Sequence, residues 1–523
     1  MPLSRRQFLG SAGALALVSA AARSRLASAR GLLVEPVLDD IVRRALDAAK
    51  KAGATYADVR LVRRRSETIA TREDRVERVD ATESYGVGVR VLAAGAWGFA
   101  ATSRVEPREA ERVARRAVDT AKANARILRT PVTLAPNPAR VDVWQTPLVK
   151  DPFKISVEDK VELLLALNAE VLKVKGVKFV SSGVTCLGEW KLLATSEGAH
   201  IEQDITRIGP TLQATAVGVT SGEFESRAHQ LAPAQAGWEY IEESSLRADA
   251  RRIGEEAVEK LSATGVEPGK RDLILDPGNL YLTIHESIGH ATELDRALGY
   301  EANFAGTSFA TPDMLGKLMY GSEIVTVFAD KTTPRGLATC GYDDDGVKTQ
   351  KWNLIENGKL VGYQTTRDQA AFLGEKASRG TCYGQDFASF PFQRMPNVSL
   401  APGKDDRGAK DLIAATDDGV LIQGNGSWSI DHQRKNFQFG GQMFFEVRKG
   451  KIARALRDVA YQAQTLDFWR SCDLLGGPSS WELHGALGDG KGEPSQSNAV
   501  SHGCPPARFR GVNILNTNQR KRA

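Results

Sequence analysis

The chain has 523 residues, more than one hydrophobic core normally serves, so its length predicts more than one domain. Hydrophobic residues make up 42% and charged residues 25%, which are values of folded proteins and exclude wholesale disorder. The formal net charge is +5, but residues 1–29 contribute four arginines and no acids, so the remainder carries 5 − 4 = +1. A nearly neutral protein gives no support to nucleic-acid or membrane-surface binding.

The N-terminus has the features of an export signal. Arg5-Arg6 is a twin-arginine pair, and a weakly apolar run continues from Leu9 to Ala22. Ala27-Ser28-Ala29 then offers a small-x-small cleavage site. Because the run is too short to span a bilayer, residues 1–29 are predicted to be a twin-arginine signal peptide, with an amphipathic start or an uncleaved anchor as the alternative. We expect a periplasmic or otherwise extracytoplasmic protein that is exported folded, without stable membrane association.

The first half of the chain alternates between helical and strand patterns. Apolar residues recur at helical spacing over 37–52, 107–125 and 157–173. The turn residues Ala94-Gly95 predict a hairpin between two alternating stretches. The predicted strands are 56–62, 67–79, 86–100, 179–186, 191–195 and 201–215. Residues 37–230 are therefore predicted to form an N-terminal α+β domain of mixed sheet and helices.

Residues 231–267 are predicted to connect two domains. Leu231–Gly237 is rich in Ala, with Pro and Gly, as surface connections are, and a helix is expected over 239–261. A strand at 271–275 and a turn follow, and then a helix from Leu280 with Asn279 as its N-cap. Residues 268–523 are predicted to form a mainly β domain that carries this helix. The expected fold class is thus α+β with two domains.

The cysteines do not indicate a disulfide framework. Five widely spaced cysteines are an odd number in a large chain, which leaves room for one pair that the sequence cannot name. They are Cys186, Cys340, Cys382, Cys472 and Cys504.

Two of the seven histidines lie in the motif His285-Glu286-Ser287-Ile288-Gly289-His290, which should arise by chance in about one such chain in a hundred. Two neutral imidazoles can bind zinc, and a nearby carboxylate can take a proton from water that attacks a carbonyl. In a regular helix, residues five apart point about 140° from each other. Both histidines therefore reach one metal only if the helix bulges or unwinds, which Gly289 would permit. Two ordinary helix histidines are the alternative.

The motif and its continuation Ala291–Asp295 resemble the TldD/PmbA family of metallopeptidases, also called modulators of DNA gyrase. The likeness covers most of the chain beyond the signal. It implies one zinc ion per chain, with His285 and His290 as ligands and Glu286 as general base. It also implies peptide or unfolded substrates and a homodimer, or a heterodimer with a metal-free paralogous subunit. The other similar segments are Ala57–Arg60, Tyr85–Arg90, Asn436–Gly441, Gly490–Gly492 and Val500–Gly503.

The sequence departs from this family at the third metal ligand. The family has a cysteine in a Cys-Gly-Lys element, and the matching tripeptide here is Asp489-Gly490-Lys491. A carboxylate is a competent zinc ligand but makes the site harder, and so more tolerant of manganese or iron. Register favours Asp489 as the third ligand, with Cys504 as its rival. His484 and His502 are interpreted as surface or core histidines, ahead of a role beside the metal ligands.

Two other functions stay open. One is a non-catalytic protein that binds and modulates a partner, and the other is a metal-dependent hydrolase of another substrate class. Export argues against modulation of gyrase, which is cytoplasmic, and a scaffold has no need of intact metal ligands. Gly440-Gly441 is interpreted as a strand bend or bulge, or alternatively as a strand edge that pairs with a peptide substrate.

Overall fold

The computed structural model describes residues 36–219 and 222–518, so the predicted signal peptide lies outside the described residues. Helices and strands are mixed along the described chain, as predicted. The helices are α1 (Pro36–Ala52), α2 (Pro107–Asn124), α3 (Val157–Leu172), α4 (Glu239–Glu242), α5 (Leu246–Leu261), α6 (Pro277–Ile284), α7 (Leu294–Ala297), α8 (Ala409–Ala414) and α9 (Thr465–Arg470). Short 3-10 turns occur at Pro152–Lys154, His290–Thr292, Pro312–Met314, Ala370–Leu373 and Pro478–Ser480.

The first half of the chain contains a seven-stranded sheet. Its strands are β1 (Tyr56–Arg72), β2 (Arg75–Ala93), β3 (Ala96–Thr102), β4 (Val141–Gln145), β5 (Val177–Thr195), β6 (His200–Val217) and β7 (Phe224–Ala228). They lie in the order β3-β2-β1-β5-β6-β4, with β7 beside β6.

The two faces of this sheet differ in chemistry because side chains alternate along a strand. On β1, Val59 and Leu61 are fully buried against α1 and α2, and Ile69 packs with α3 and α5. Arg60 lies between the first two and is also buried, but its guanidinium donates a hydrogen bond to Asp344 at 3.4 Å. One face therefore carries the helices, and the other contacts the second half of the chain through buried charges.

Several strands are longer than the sequence predicted. The predicted strand 67–79 was wrong, because the chain turns at Glu73, whose φ is 49°, between β1 and β2. The sequence does not reveal this turn, because exposed charged residues continue without a break from the end of β1 into the start of β2. The predicted segments 179–186 and 191–195 are parts of the single strand β5. The hairpin at Ala94-Gly95 is confirmed, and both residues have the positive φ of a type I′ turn.

The predicted surface connection is buried. Ala234, Ala236 and Trp238 belong to the core that α3 and α5 form on the sheet, and Ala234 pairs with Ile208 of β6. The prediction of a surface connection at Leu231–Gly237 was therefore wrong, because its small side chains complete that core. The predicted helix 239–261 is interrupted between α4 and α5. The division of the chain into two domains stays a prediction.

Strands dominate the second half of the chain. They are β8 (Thr264–Gly265), β9 (Gly269–Leu275), β10 (Val327–Asp330), β11 (Lys351–Glu356), β12 (Lys359–Leu360), β13 (Cys382–Tyr383), β14 (Phe392–Gln393), β15 (Asn397–Leu400), β16 (Asp418–Ile430), β17 (Asn436–Arg448), β18 (Lys451–Arg457), β19 (Val459–Gln464), β20 (Cys472–Leu475), β21 (Glu482–Lys491), β22 (Gln496–Cys504) and β23 (Ala507–Asn516). Strands β16, β9, β23, β19 and β17 pair in that order, and β17 pairs again with β16, so they form a closed barrel. A smaller sheet has the order β12-β11-β10-β15.

Helix α6 lies on the barrel. Leu280 and Ile284 belong to its core, together with the aromatic side chains of Phe437, Phe439 and Tyr461. Strands β21 and β22 form a separate antiparallel hairpin that contacts the same helix. The barrel thus supports the motif helix from one side, and a distant hairpin reaches it from another.

All five cysteines lie in the described part of the chain and are unpaired. Among the described residues, no helix has both the length and the apolar character that crossing a membrane requires.

Candidate metal centre

The motif helix begins about one turn earlier than the sequence predicted. Helix α6 starts at Pro277, and the side chain of Asp276 caps it by accepting a hydrogen bond from the backbone N–H of Asn279 at 2.8 Å. The prediction of Asn279 as N-cap was wrong. Its buried side chain donates instead to the carbonyl oxygens of Gly424 and Gly440, at 2.8 Å each, and so ties the helix to the barrel.

The helix changes geometry at the motif. Residues 285–289 form a π-helical turn, and a 3-10 turn follows at 290–292. The backbone N–H of His290 donates to the carbonyl oxygen of His285, which is the five-residue hydrogen bond of a π-helix. The wider turn brings the two imidazole rings together, with centroids 4.6 Å apart. The predicted local distortion of the helix is confirmed.

Gly289 allows close packing rather than unusual backbone angles. Its φ and ψ are −51° and −61°, which any residue in a helix adopts. A Cβ at this position would lie 2.6 Å from Sδ of Met395. The expectation that the conformational freedom of glycine permits the distortion was therefore wrong, because Met395 sets the requirement for a small residue.

Asp489, on β21, faces both histidines. Its Oδ1 lies 3.5 Å from Nε2 of His285 and 3.5 Å from Nε2 of His290. The candidate ligand atoms of the three side chains all lie within 4.8 Å of one another. Burial alone would raise the pKa of Asp489, but His290 and His285 hold it well below its usual range. The carboxylate is therefore ionised.

These separations fit a metal ion. Zinc lies about 2.0–2.2 Å from imidazole nitrogen or carboxylate oxygen, so two ligands at a tetrahedral angle are roughly 3.3–3.6 Å apart. A direct hydrogen bond between an imidazole and a carboxylate would be shorter, about 2.7–3.2 Å. Two imidazole nitrogens and one carboxylate oxygen are also a donor set that zinc accepts.

Glu293 orients His290. Its Oε2 lies 3.0 Å from Nδ1 of His290, so that Nδ1 donates and Nε2 faces Asp489. Glu293 also accepts from Nε of Arg296 at 3.0 Å, and its Oε1 lies 3.3 Å from Nζ of Lys491. Burial would raise the pKa of Glu293, but Lys491 and His290 hold it well below its usual range. It therefore remains an ionised acceptor for His290.

Arg394 holds the second oxygen of Asp489. Its guanidinium donates to Oδ2 at 3.3 Å and also to the backbone carbonyl of the same residue, and its side chain is buried. This contact leaves Oδ1 for the histidines. Lys491, two residues further along β21, is completely buried and donates to Asp295 at 2.8 Å. One strand thus supplies the carboxylate of the centre and the cation beside Glu293.

Glu286 is nearly buried and forms an ion pair with Arg434, whose Nη1 donates to its Oε2. Arg434 lies in the turn between β16 and β17 with a φ of 63°, a left-handed conformation that is uncommon outside glycine. Its Nη2 also reaches the carbonyl oxygen of Ala305 at 3.5 Å. The orientation of the Glu286 carboxylate is therefore set by a residue from a distant hairpin.

His502 and Cys504 lie in different surroundings. His502 is a core histidine, one of the two favoured interpretations, but its Nε2 also lies 2.8 Å from Nδ1 of the candidate ligand His285, as the other interpretation expected. Burial and the neighbouring His285 hold the pKa of His502 well below its usual range.

Cys504 has its Sγ 3.7 Å from the carbonyl oxygen of Pro277, outside the group of three ligand atoms. Burial raises the pKa of its thiol well above the usual value.

Strand β17 is irregular at Gly440-Gly441, where its register with β16 shifts between Asn425 and Trp428. Asn279 donates to the carbonyl of Gly440 from one side, and Gly441 pairs with Asn425 of β16 on the other. A Cβ on Gly441 would lie 2.3 Å from the side chain of Ile422. The predicted bend or bulge is confirmed, and the alternative interpretation as a strand edge that pairs with a peptide substrate stays a prediction.

Arg394, Arg434 and Glu293 were not assigned roles from the sequence. Glu293 follows His290 by three residues, a spacing at which side chains on a helix can meet, so this signal was available. Arg394 and Arg434 are 95 and 148 residues from Asp489 and Glu286, and no local pattern pairs residues so far apart.

Three family models match the chain in succession. The models of PmbA/TldA metallopeptidase domain 1, central domain and C-terminal domain match residues 57–125, 150–264 and 268–516. Together they span most of the chain. The group formed by His285, His290 and Asp489 lies within the C-terminal match.

Individual relatives are similar over most of their length. A metalloprotease from Methanocaldococcus jannaschii is 28% identical over 421 residues, which is 80% of this chain and 89% of that protein. A zinc metalloprotease TldD homolog from Saccharolobus solfataricus is 22% identical over 442 residues, 82% of this chain and 90% of that protein. The crystal structure of TldE from Thermococcus kodakarensis matches with a TM-score of 0.66 and 19% identity, covering 90% of this chain and 99% of that chain, which shows a shared fold.

Proposed function

The chain belongs to the PmbA/TldA metallopeptidase family, and from this premise we propose that it is a zinc-dependent peptidase. His285, His290 and Asp489 hold one zinc ion, and Glu286 is the general base. One observation carries the proposal: Oδ1 of Asp489 lies 3.5 Å from Nε2 of each histidine, the separation of two ligands of one ion.

The chain's own groups perform distinct steps. A bound zinc ion supplies Lewis acidity, which polarises a carbonyl and makes a water molecule nucleophilic near neutral pH. Glu286 accepts the proton that this water loses and passes it to the departing amine. Arg434 keeps the carboxylate of Glu286 in one orientation through their ion pair.

Zinc is proposed ahead of manganese and iron. Two imidazole nitrogens suit zinc, whereas the carboxylate of Asp489 makes the site harder than a thiolate would and leaves room for the other two metals. The Saccharolobus solfataricus relative is named a zinc metalloprotease, which also supports zinc.

Substrate, assembly and location are proposed from the family likeness and the N-terminal sequence. We propose peptides or unfolded segments as substrates, because the relatives are named metalloproteases. The proposed assembly is a homodimer, or a heterodimer with a metal-free paralogous subunit. The proposed location is the periplasm or another extracytoplasmic compartment, reached after the metal site has been filled and the chain has folded.

Hydrolysis of an unfolded protein such as reduced casein tests the proposal. Glu286→Gln keeps the size and polarity of the side chain but removes the base, so the rate should fall at least about 100-fold while zinc content stays unchanged. Glu482→Gln, on the exposed side of β21, is the matched control and should cleave normally. Normal cleavage by Glu286→Gln would contradict the proposed mechanism.

A further inference from the structure

The Nδ1 atom of His285 is linked to a second histidine, whereas Nδ1 of His290 is linked to a carboxylate. Its Nδ1 lies 2.8 Å from Nε2 of His502, and Nδ1 of His502 lies 2.8 Å from the carbonyl oxygen of Val398. His502 has no solvent exposure, and its ring stands at 75° to that of His285. The three groups form a continuous hydrogen-bonded chain from the backbone of β15 to the candidate centre.

The direction of each hydrogen bond in this chain follows from the carbonyl. A carbonyl oxygen can only accept, so Nδ1 of His502 must carry the proton. Neutral His502 then has a lone pair on Nε2, which can only accept. His285 must therefore donate from Nδ1, and the lone pair of its neutral ring lies on Nε2, the atom that faces Asp489.

We propose that His502 is a positioning residue that holds His285 in the Nδ1–H tautomer and thereby directs its Nε2 to the metal. The proposal rests on the proposed function, since His285 must be a metal ligand. Glu293 does the same for His290 with a carboxylate. The two ligand histidines thus have different partners, one neutral and one charged.

The position of His502 also couples two ligands mechanically. His502 lies on β22, and its partner strand β21 carries Asp489. The same hairpin therefore presents the third ligand and the group that orients the first. A shift of this hairpin would move Asp489 and tilt His285 together.

His484 is a natural control for this role. It is the cross-strand neighbour of His502 in the hairpin and is also nearly buried. Its Nε2 lies 3.2 Å from a carboxylate oxygen of Glu482, and its ring stacks on Tyr281 with centroids 5.7 Å apart. It has the same chemistry as His502 but a partner at the surface.

Zinc affinity of the full chain, measured by competition with a chromophoric chelator, tests the proposal. His502→Asn can still donate to Val398, but its amide is too short to reach His285, so affinity should fall about 10- to 100-fold. His502→Gln places an amide oxygen where Nε2 was and should retain most of the affinity. His484→Asn should bind zinc like the unchanged protein. The absorption bands of the Co²⁺-loaded protein should shift in His502→Asn alone.

Two results would overturn the proposal. One is that His502→Asn and His502→Gln bind zinc equally well. The affinity would then not depend on an acceptor at the position of Nε2, as expected of a residue that only fills space. The other is that His484→Asn lowers zinc affinity as much as His502→Asn does. His285→Ala identifies a failure of the proposed function instead: if it keeps full zinc affinity, His285 is not a ligand, whatever His502 does.

Discussion

The backbone N–H of His290 donates a hydrogen bond to the carbonyl oxygen of His285, five residues earlier in the chain. A regular α-helix would join residues four apart and would point these two side chains in different directions. The π-helical turn adds one residue to the loop of the hydrogen bond, so that both Nε2 atoms reach the same oxygen of Asp489. The five-residue spacing of the motif and the shape of the helix thus explain each other.

Gly289→Ala tests the packing that accompanies this turn. The added Cβ would lie 2.6 Å from Sδ of Met395, so overpacking should lower the free energy of unfolding by about 1–3 kcal/mol, measured by urea denaturation. Gly490→Ala is the control, because its Cβ would meet only Ser495, at 3.9 Å, and it should change stability little. Equal stability of Gly289→Ala and the unchanged protein would show that this contact relaxes freely.

The ion pair between Arg434 and Glu286 predicts a split between binding and catalysis. Arg434→Met leaves Glu286 without its guanidinium partner, so kcat should fall on the order of 10- to 100-fold as the base loses its orientation, while zinc content stays constant. Arg434→Lys should retain more activity because it keeps the charge. Arg454→Met, which removes an arginine paired with Glu446, is the control. A normal kcat in Arg434→Met would remove Arg434 from the mechanism.

The spacing of the motif was enough to predict that the helix distorts at His285 and His290. It could not predict where the helix begins, because Asp276-Pro277 and Asn279 are both suitable helix starts. The helix begins at Pro277, and Asn279 instead donates to a strand of the barrel that is more than 140 residues away in the chain. Helices α1 to α3 were predicted to within a residue or so because their apolar residues are periodic. The role of Arg394 could not be predicted from the sequence, since its partner Asp489 is adjacent only in the folded chain.

The pH dependence of zinc affinity follows from the pKa of His285 in the metal-free protein. Burial would lower this pKa, but Asp489 outweighs burial and raises it above the usual value of about 6.5. Protons and zinc compete for the same Nε2, so apparent affinity should begin to fall at a pH above 6.5 as the solution is acidified. Asp489 keeps a pKa well below neutrality and does not titrate in this range.

Asp489→Asn provides the check on this sign. Without the negative charge, burial dominates and the pKa of His285 falls. The apparent zinc affinity should therefore begin to decrease at a lower pH on acidification. Affinities are measured by chelator competition from pH 5 to pH 9, each variant normalised to its own value at high pH. If the zinc affinity of Asp489→Asn began to decrease at the same or a higher pH, the charge of Asp489 would not be the cause of the raised pKa of His285.

The N-terminal signal makes a prediction that does not depend on the metal centre. Changing both Arg5 and Arg6 to Lys keeps the charge but removes the twin-arginine pair, so the precursor should stay in the cytoplasm of a bacterial host. Cell fractionation with an immunoblot measures this, and the mature N-terminus should lie near Arg30. Normal export of the double variant would contradict the predicted route.

Metal content of purified protein tests the central assignment most directly. The unchanged protein, prepared without chelators, should contain about one zinc ion per chain by mass spectrometry. Asp489→Ala leaves two histidines and should lose the metal, whereas Cys504→Ser should keep it, because its thiol lies against Pro277 outside the group of ligand atoms. Full zinc content in Asp489→Ala together with its loss in Cys504→Ser would contradict the assignment of Asp489 and make Cys504 the third ligand.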